Sequence, residues 1–341
     1  MHEIELKFGI PPERLTDVRT ALRGLGADLD HPQILQAAYF DTVDRRLARA
    51  RSALRVRRED DDWVQTFKSA GINAMMRVED NQPAAIPAPG QALAPDLSRH
   101  QGVARETLMH HLAWAPDQDP AGTQCGLVAL YRTDLHRTRA RLAVQHQGQT
   151  IGEVELALDE GVIASGPLED PVSELEIELL QGEPLAVILA GRAWAERFGL
   201  WLDTQTKAHR GDRLARQVQP PPADATASSK AAAPTPSDWR AELARSLQRI
   251  TTPMSALAAG NSASVARSLQ DWRQGLAGLN TLLCTPETSS QPWAAELHST
   301  AQSLAQRLEA LDELNKHTAA AEARSAQSTN VCLDVLTALL P

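Results

Sequence analysis

The sequence predicts an α+β protein, in which a β-sheet with an enclosed, charged face packs against helices and is followed by a smaller all-α region. Two observations predict this class. Within the first 215 residues, several segments alternate charged with apolar side chains at the period of two that is typical of β-strands. Beyond residue 239, apolar side chains instead recur at a helical period.

The N-terminal strand, residues 3–8, shows the alternation most simply. Its Glu-Ile-Glu-Leu-Lys-Phe run places Glu3, Glu5 and Lys7 on one face and three apolar residues on the other. A solvated outer face would explain one such strand. The pattern recurs, however, in four charged segments, two basic and two acidic: residues 54–57, 66–68, 153–159 and 174–180. Acidic and basic strands together suit a polyanion bound with metal ions on an enclosed face.

The other elements follow in chain order. The segments that read as strands are residues 3–8, 36–41, 53–59, 63–68, 127–146, 151–159 and 174–180. The acidic turn at residues 60–62 joins two of them as a hairpin. The segments with helical spacing lie near residues 12–25, 101–113 and 184–198. Residues 81–100, rich in Pro, Ala and Gly, predict a loop.

Short motifs occur along residues 1–215 in a particular order. They are Glu3-Ile4-Glu5-Leu6-Lys7, Tyr39-Phe40-Asp41-Thr42, Leu54-Arg55-Val56-Arg57, Thr66-Phe67-Lys68, Arg77-Val78-Glu79, the two acidic strands, and Lys207-Ala208-His209-Arg210-Gly211. This ordered set resembles the CYTH superfamily, the triphosphate tunnel metalloenzymes, and within it the bacterial two-domain inorganic triphosphatases. The resemblance implies an eight-stranded antiparallel β-barrel that forms a tunnel, with the helices outside.

The resemblance also implies the site residues. The expected ligands of Mg²⁺ or Mn²⁺ are Glu3, Glu5, Glu153, Glu155, Glu174 and Glu176. The expected binders of phosphoryl oxygens are Lys7, Arg55, Arg57, Lys68, Arg77, Arg137, Lys207 and Arg210. Glu5, Glu176 and Lys7 are the expected catalytic residues. For Glu153 and Glu155 a solvated face is an equal alternative, Asp159 could be a turn residue, and Arg58 has the parity of a solvent-facing side chain.

The C-terminal half divides at a Pro/Ala/Ser-rich segment. The predicted units are a tunnel domain at 1–216, a linker at 217–238 and a helical domain at 239–341. The resembled proteins carry a CHAD domain here, a helical domain associated with polyphosphate. In this chain the region holds eight Lys and Arg against nine Asp and Glu, so it reads as a degenerate CHAD-like domain. We expect a bundle docked loosely on the barrel, with a scaffolding or homodimerising role.

Composition limits the partners and the compartment. A net charge of −9 disfavours nucleic-acid binding through bulk electrostatics. No apolar run approaches the roughly 20 residues of a membrane span, and Met1 leads directly into a strand, so we expect neither a membrane segment nor a signal peptide. Cys125, Cys284 and Cys332 lack metal-site spacing and are expected to be free thiols in a reducing cytoplasm.

The leading hypothesis for function is hydrolysis of the small molecule tripolyphosphate to pyrophosphate and phosphate. Other triphosphate chemistry is an alternative: thiamine triphosphate or nucleoside triphosphate hydrolysis, or a class IV-type adenylate cyclase. The low aromatic content, 4%, disfavours base stacking. A non-catalytic polyphosphate or nucleotide sensor is a further alternative, although pure anion binding would need only the basic strands.

Overall fold

The fold consists of an antiparallel sheet with attached helices, followed in the chain by an all-helical region. The computed structural model describes residues 2–69, 76–86, 93–222, 238–312 and 315–340, with the backbone alone at residues 2–3 and 76–78. Among these residues no helix is both long and apolar enough to cross a bilayer. The three cysteines are free, as predicted.

The described part of the chain forms nine strands. They are β1 (His2–Gly9), β2 (Gln33–Thr42), β3 (Ser52–Glu59), β4 (Asp62–Ser69), β5 (Met76–Pro83), β6 (Leu127–His146), β7 (Gln149–Ser165), β8 (Leu168–Gly182) and β9 (Trp201–Leu202). Their order is β5-β4-β3-β2-β6-β7-β8-β1-β9, and β1 also pairs with β5. That last pairing joins the first eight strands into a ring, which confirms the predicted antiparallel barrel.

Five helices accompany the described strands, and six more make up the C-terminal region. The first group is α1 (Leu15–Gly24), α2 (Arg46–Arg49), α3 (Gly102–Leu112), α4 (Leu185–Phe198) and α5 (Lys207–Val218). The second is α6 (Trp239–Ala258), α7 (Val265–Leu283), α8 (Pro286–Ser289), α9 (Ala294–Glu309), α10 (Lys316–Ala323) and α11 (Ala326–Leu339). The predicted linker therefore begins within α5, and β5 occupies the start of the predicted loop at 81–100.

The apolar faces of the strands pack on helices. Leu6 and Phe8 of β1 are buried, and α4 lies directly on them at Gly191. A Cβ atom at Gly191 would lie 2.7 Å from the Phe8 ring, so only glycine permits this approach. The alternating strands thus turn their apolar side towards the helices and their charged side away from them.

The helical region shares its apolar core with the barrel. One cluster of buried side chains includes Phe8 and Trp194 of the barrel together with Leu247 and Trp272 of the helical region. Polar contacts cross the same boundary: Arg192 of α4 donates to Asp334 of α11 at 2.6 Å. The region is therefore packed on the barrel, rather than docked loosely as the sequence led us to expect. The predicted domain boundaries themselves stay a prediction.

Ending the chain at Gln217 should destabilise the barrel, because it would expose the apolar surface that the helical region covers. Exposing three large apolar side chains of this surface would lower the free energy of unfolding by about 5 kcal/mol. This loss corresponds to a melting temperature lower by about 10 °C or more. Thermal melting and binding of a hydrophobic dye, each compared with the full chain, test this. An unchanged melting temperature without dye binding would show that the shared core contributes nothing to the barrel.

Candidate active site

A cavity of about 1050 Å³ is lined by the charged faces of the barrel strands. Its acidic lining residues are Glu5, Asp41, Glu79, Glu155, Asp159, Glu176, Glu178, Asp203 and Asp212. Its lysine and arginine lining residues are Lys7, Arg51, Arg55, Arg57, Lys68, Arg137, Arg139, Lys207, Arg240 and Arg245. The charged face predicted from the alternation is therefore the enclosed one, and it carries both signs.

The most compact acidic group lies on β7 and β8. Ligand oxygens of Asp159, Glu174 and Glu176 lie within 4.8 Å of one another. Strand pairing brings them together, since Asp159 is directly opposite Glu174 and Glu176 is two residues further along β8. Three carboxylates this close, two of them buried, would repel one another strongly unless cations lay beside them.

Lys207 and Arg137 each contact more than one carboxylate of this group. The Lys207 ammonium, at the first turn of α5, is 2.7 Å from Asp159 and 2.8 Å from Glu176, and it also pairs with Glu174. Arg137 of β6 donates two hydrogen bonds to Asp159 and one to Glu176. Burial raises the pKa of Glu176, but Lys207 and Arg137 outweigh burial, so this pKa lies well below its ordinary value. Glu176 is therefore ionised at neutral pH.

A second acidic row crosses three strands. Glu178 of β8 is directly opposite Glu5 of β1 on one side and Glu155 of β7 on the other. Burial raises the pKa of Glu178, and the Glu5 and Glu155 carboxylates raise it further. Carboxylate oxygens are the ligands that Mg²⁺ and Mn²⁺ prefer. Both acidic groups thus have the donor atoms that a divalent cation needs.

Lys7 is held by three acceptors. Its ammonium donates to Glu174 at 2.8 Å, to Asp203 at 2.9 Å and to the carbonyl of Gln205. These bonds use all three of its protons. Lys7 therefore links β1 to the acidic cluster and to the segment that follows β9.

Arg55 and Arg57 form the basic wall on β3. Arg55 donates to the Tyr39 hydroxyl at 3.3 Å, and Arg57 pairs with Glu59. Burial, together with the nearby Arg55, lowers the pKa of Arg57 to about 10. Within the described residues, the Nε atoms of Arg55 and Arg57 are buried without a hydrogen-bond partner. An anion in the cavity would satisfy buried donors and offset the repulsion between the guanidiniums.

Some expected site residues lie elsewhere. Arg210 on α5 donates two hydrogen bonds to Asp170, at 3.1 and 2.8 Å, and does not line the cavity, although its guanidinium also lies 4.0 Å from Glu174. Glu153 accepts from Gln181 at 3.1 Å, outside the cavity lining. Glu3 and Arg77 pair through their backbones, but their side chains are outside the described set. The roles of these four residues stay predictions.

Other residues at the site were missed from the sequence. Asp159 is fully buried in the acidic cluster, and not in a turn, because β7 continues to Ser165. It shares parity with Glu155, which was the signal for its inward position. Asp203 gave no such signal, because it follows a strand of only two residues. Arg58 is about half exposed and pairs with Asp61, which confirms its predicted orientation.

Comparisons with known proteins agree with this architecture. The model of the family described as CYTH domain matches residues 1–211. The inorganic triphosphatase of Haemophilus influenzae is 28% identical over 186 residues, which are 53% of this chain. They are 46% of that relative, so the chain spans about half the length of the curated protein that it matches.

Similar solved structures share little sequence with the chain. A putative adenylate cyclase from Bacillus halodurans is 16% identical with a TM-score of 0.34, covering 57% of this chain and 89% of its own. A Hippeastrum protein, described as a putative adenylyl cyclase with a dominant triphosphatase activity, is 22% identical with a TM-score of 0.38. That match covers 58% of this chain and 89% of the other.

The depressed pKa of Glu176 predicts how stability depends on pH. A carboxyl whose folded pKa is lowered stabilises the protein above its ordinary value, near 4.5, and this contribution is lost as pH falls through the folded pKa. The difference in unfolding free energy between the wild type and Glu176→Gln should therefore shrink below about pH 4.5. Urea unfolding from pH 7 to pH 3 measures it.

The matched control for this measurement is Asp61→Asn, which removes a carboxylate from a fully exposed position. The unfolding free energy of Asp61→Asn should differ from that of the wild type by a small amount that is nearly the same at each pH. A difference for Glu176→Gln that is equally constant would contradict the assigned ionisation of Glu176.

Proposed function

The chain belongs to the CYTH domain family, and from this premise we propose that it hydrolyses inorganic tripolyphosphate to pyrophosphate and phosphate with the help of a divalent cation. The observation that carries the proposal is a cavity that combines the acidic cluster of Asp159 and Glu176 with the guanidiniums of Arg55 and Arg57. Basic residues alone would suffice to hold an anion. Clustered carboxylates beside them suit a substrate that is bound together with metal.

The carboxylates would hold the metal. Asp159, Glu174 and Glu176 form one candidate site, and the row of Glu5, Glu155 and Glu178 forms another. A bound Mg²⁺ or Mn²⁺ neutralises phosphoryl charge and makes a coordinated water more acidic. Lys207 and Arg137 lower the pKa of Glu176, so its carboxylate oxygens remain available as ligands at neutral pH.

The guanidiniums and Lys68 would hold the triphosphate. Arg55 and Arg57 can donate in pairs to phosphoryl oxygens, and Lys68 provides a point charge from the neighbouring strand β4. Arranged donors of this kind stabilise the charge that moves onto the pyrophosphate leaving group as the bond breaks. In this proposal, these cations bind the substrate and also assist departure of the product.

The aromatic residues that line the cavity favour an inorganic substrate over a nucleotide. Tyr39 and Tyr131 both line the cavity, and their rings stack on each other with centroids 4.7 Å apart. This pair leaves no gap between its rings for a base.

The free cysteines suit a reducing compartment, and we place the reaction in the cytoplasm.

A panel of substrates tests the proposal. Phosphate release should be fastest from tripolyphosphate, compared with ATP, thiamine triphosphate and long-chain polyphosphate, in the presence of Mg²⁺ or Mn²⁺. EDTA should abolish it and added metal should restore it, because the acidic groups need a cation before an anionic substrate can approach. Full turnover in EDTA would contradict the metal requirement, and faster release from ATP would favour a nucleotide substrate.

The strand register gives a second test with a matched control. Arg57→Ala should lower kcat/KM by about 100-fold, the scale on which single electrostatic groups act in catalysis. Arg58→Ala, at the next position of β3, should change it by less than about twofold, because exposed charges contribute little. Steady-state kinetics compares the two variants. Equal losses would show that Arg57 does not act from within the cavity.

A further inference from the structure

Helix α6 of the helical region forms part of the cavity wall. Leu247, Gln248 and Thr251 of α6 line the cavity next to the barrel segment 202–209. Thr251 is only 2% exposed, so this end of the cavity is covered by the helix. The enclosed space is therefore built from both parts of the chain.

The same helix reaches the acidic cluster through one carboxylate. Ser255 of α6, which is fully buried, donates its hydroxyl to Asp203 Oδ1. The backbone N–H of Gln205 donates to that oxygen at 2.9 Å. The other oxygen, Oδ2, accepts from the Lys7 ammonium at 2.9 Å, and Lys7 in turn donates to Glu174 at 2.8 Å. A continuous chain of hydrogen bonds thus runs from α6 to the acidic cluster.

The orientation of Asp203 depends on its hydrogen-bond partners on both sides, Ser255 and Lys7. Asp203 is 6% exposed, so little solvent replaces a partner that is lost. Charge-assisted hydrogen bonds are strong and directional, and the Ser255 hydroxyl fixes the oxygen that Lys7 does not use. Without that hydroxyl, Oδ1 keeps only the backbone N–H of Gln205, so the carboxylate is held less firmly and fixes the Lys7 ammonium against Glu174 less firmly.

We propose that Ser255 is a positioning residue of the active site, which acts through Asp203 to hold Lys7 against Glu174. The inference rests on the proposed triphosphatase function, because Glu174 belongs to the carboxylates that would hold the metal. It gives the helical region a part in the reaction, beyond its packing on the barrel.

A double-mutant cycle in the full-length chain tests the proposal. Ser255→Ala should lower kcat by about tenfold, the scale of one lost hydrogen bond to a charged group. KM should change by less than about twofold, because Arg55 and Arg57, which bind the substrate, are untouched. In the Asp203→Asn background, Ser255→Ala should have little further effect, since groups that act as one unit are not additive.

Ser246→Ala is the matched control. Ser246 is another buried serine of α6 but, unlike Ser255, it is not among the hydrogen-bond partners that the described residues give Asp203. Its loss should leave kcat unchanged even if it lowers the melting temperature. Equal losses of kcat from Ser246→Ala and Ser255→Ala, or equal effects of Ser255→Ala in both Asp203 backgrounds, would overturn the proposal.

A spectroscopic measurement separates this inference from the proposed function. With lysine-selective isotope labelling, the NMR signal of the Lys7 side chain should shift or broaden in Ser255→Ala and stay in place in Ser246→Ala. This readout needs no substrate. Failure of the phosphate-release panel with a shifted Lys7 signal would defeat the function but keep the positioning role, whereas an unshifted signal would overturn the positioning role.

Discussion

The barrel interior depends on the balance of charge around Asp159, Glu174 and Glu176. Like charges about 4 Å apart repel by about 4 kcal/mol per pair at the effective dielectric of a protein. Lys207 contacts all three carboxylates and Arg137 contacts two of them, so attraction offsets the repulsion. These cations come from α5 and β6, respectively. The cluster thus requires that the helix, the two carboxylate strands and β6 all be in place.

A single strand register satisfies both this charged cluster and the apolar core outside the barrel. Side chains alternate between the faces of a strand, so a slip of one residue would move Glu176 and Glu178 of β8 from the cavity to the apolar side. That slip would bury carboxylates against α4 and remove Leu175 and Ile177 from the core, where both are fully buried. The charged interior and the apolar exterior therefore specify the same register, and neither could be satisfied without the other.

The sequence predicted most of the barrel for the same reason. Period-two alternation showed which faces carry charge, and Arg57 and Arg58 were assigned to opposite sides correctly. Predictions were less complete where alternation is absent or interrupted. The β7–β8 register shifts between Glu153 and Val154, and Glu153 lies outside the cavity lining. Arg210 is on a helix and has no strand parity. The side-chain partners of Asp203 are Lys7 and Ser255, which are 196 and 52 residues away, so no local pattern predicts its place in the site.

The helical region is best understood from its contacts. Its apolar stripes showed that it buries a core, but periodicity cannot show which surface covers that core. In the structure the stripes of α6 and α11 join the core of the barrel, and polar residues of α6 cover one end of the cavity. A surface used in this way needs no excess of positive charge, which accounts for the balance of eight basic and nine acidic residues. The Asp159 and Glu174 carboxylates are themselves buried, which strengthens their interaction with the cations beside them.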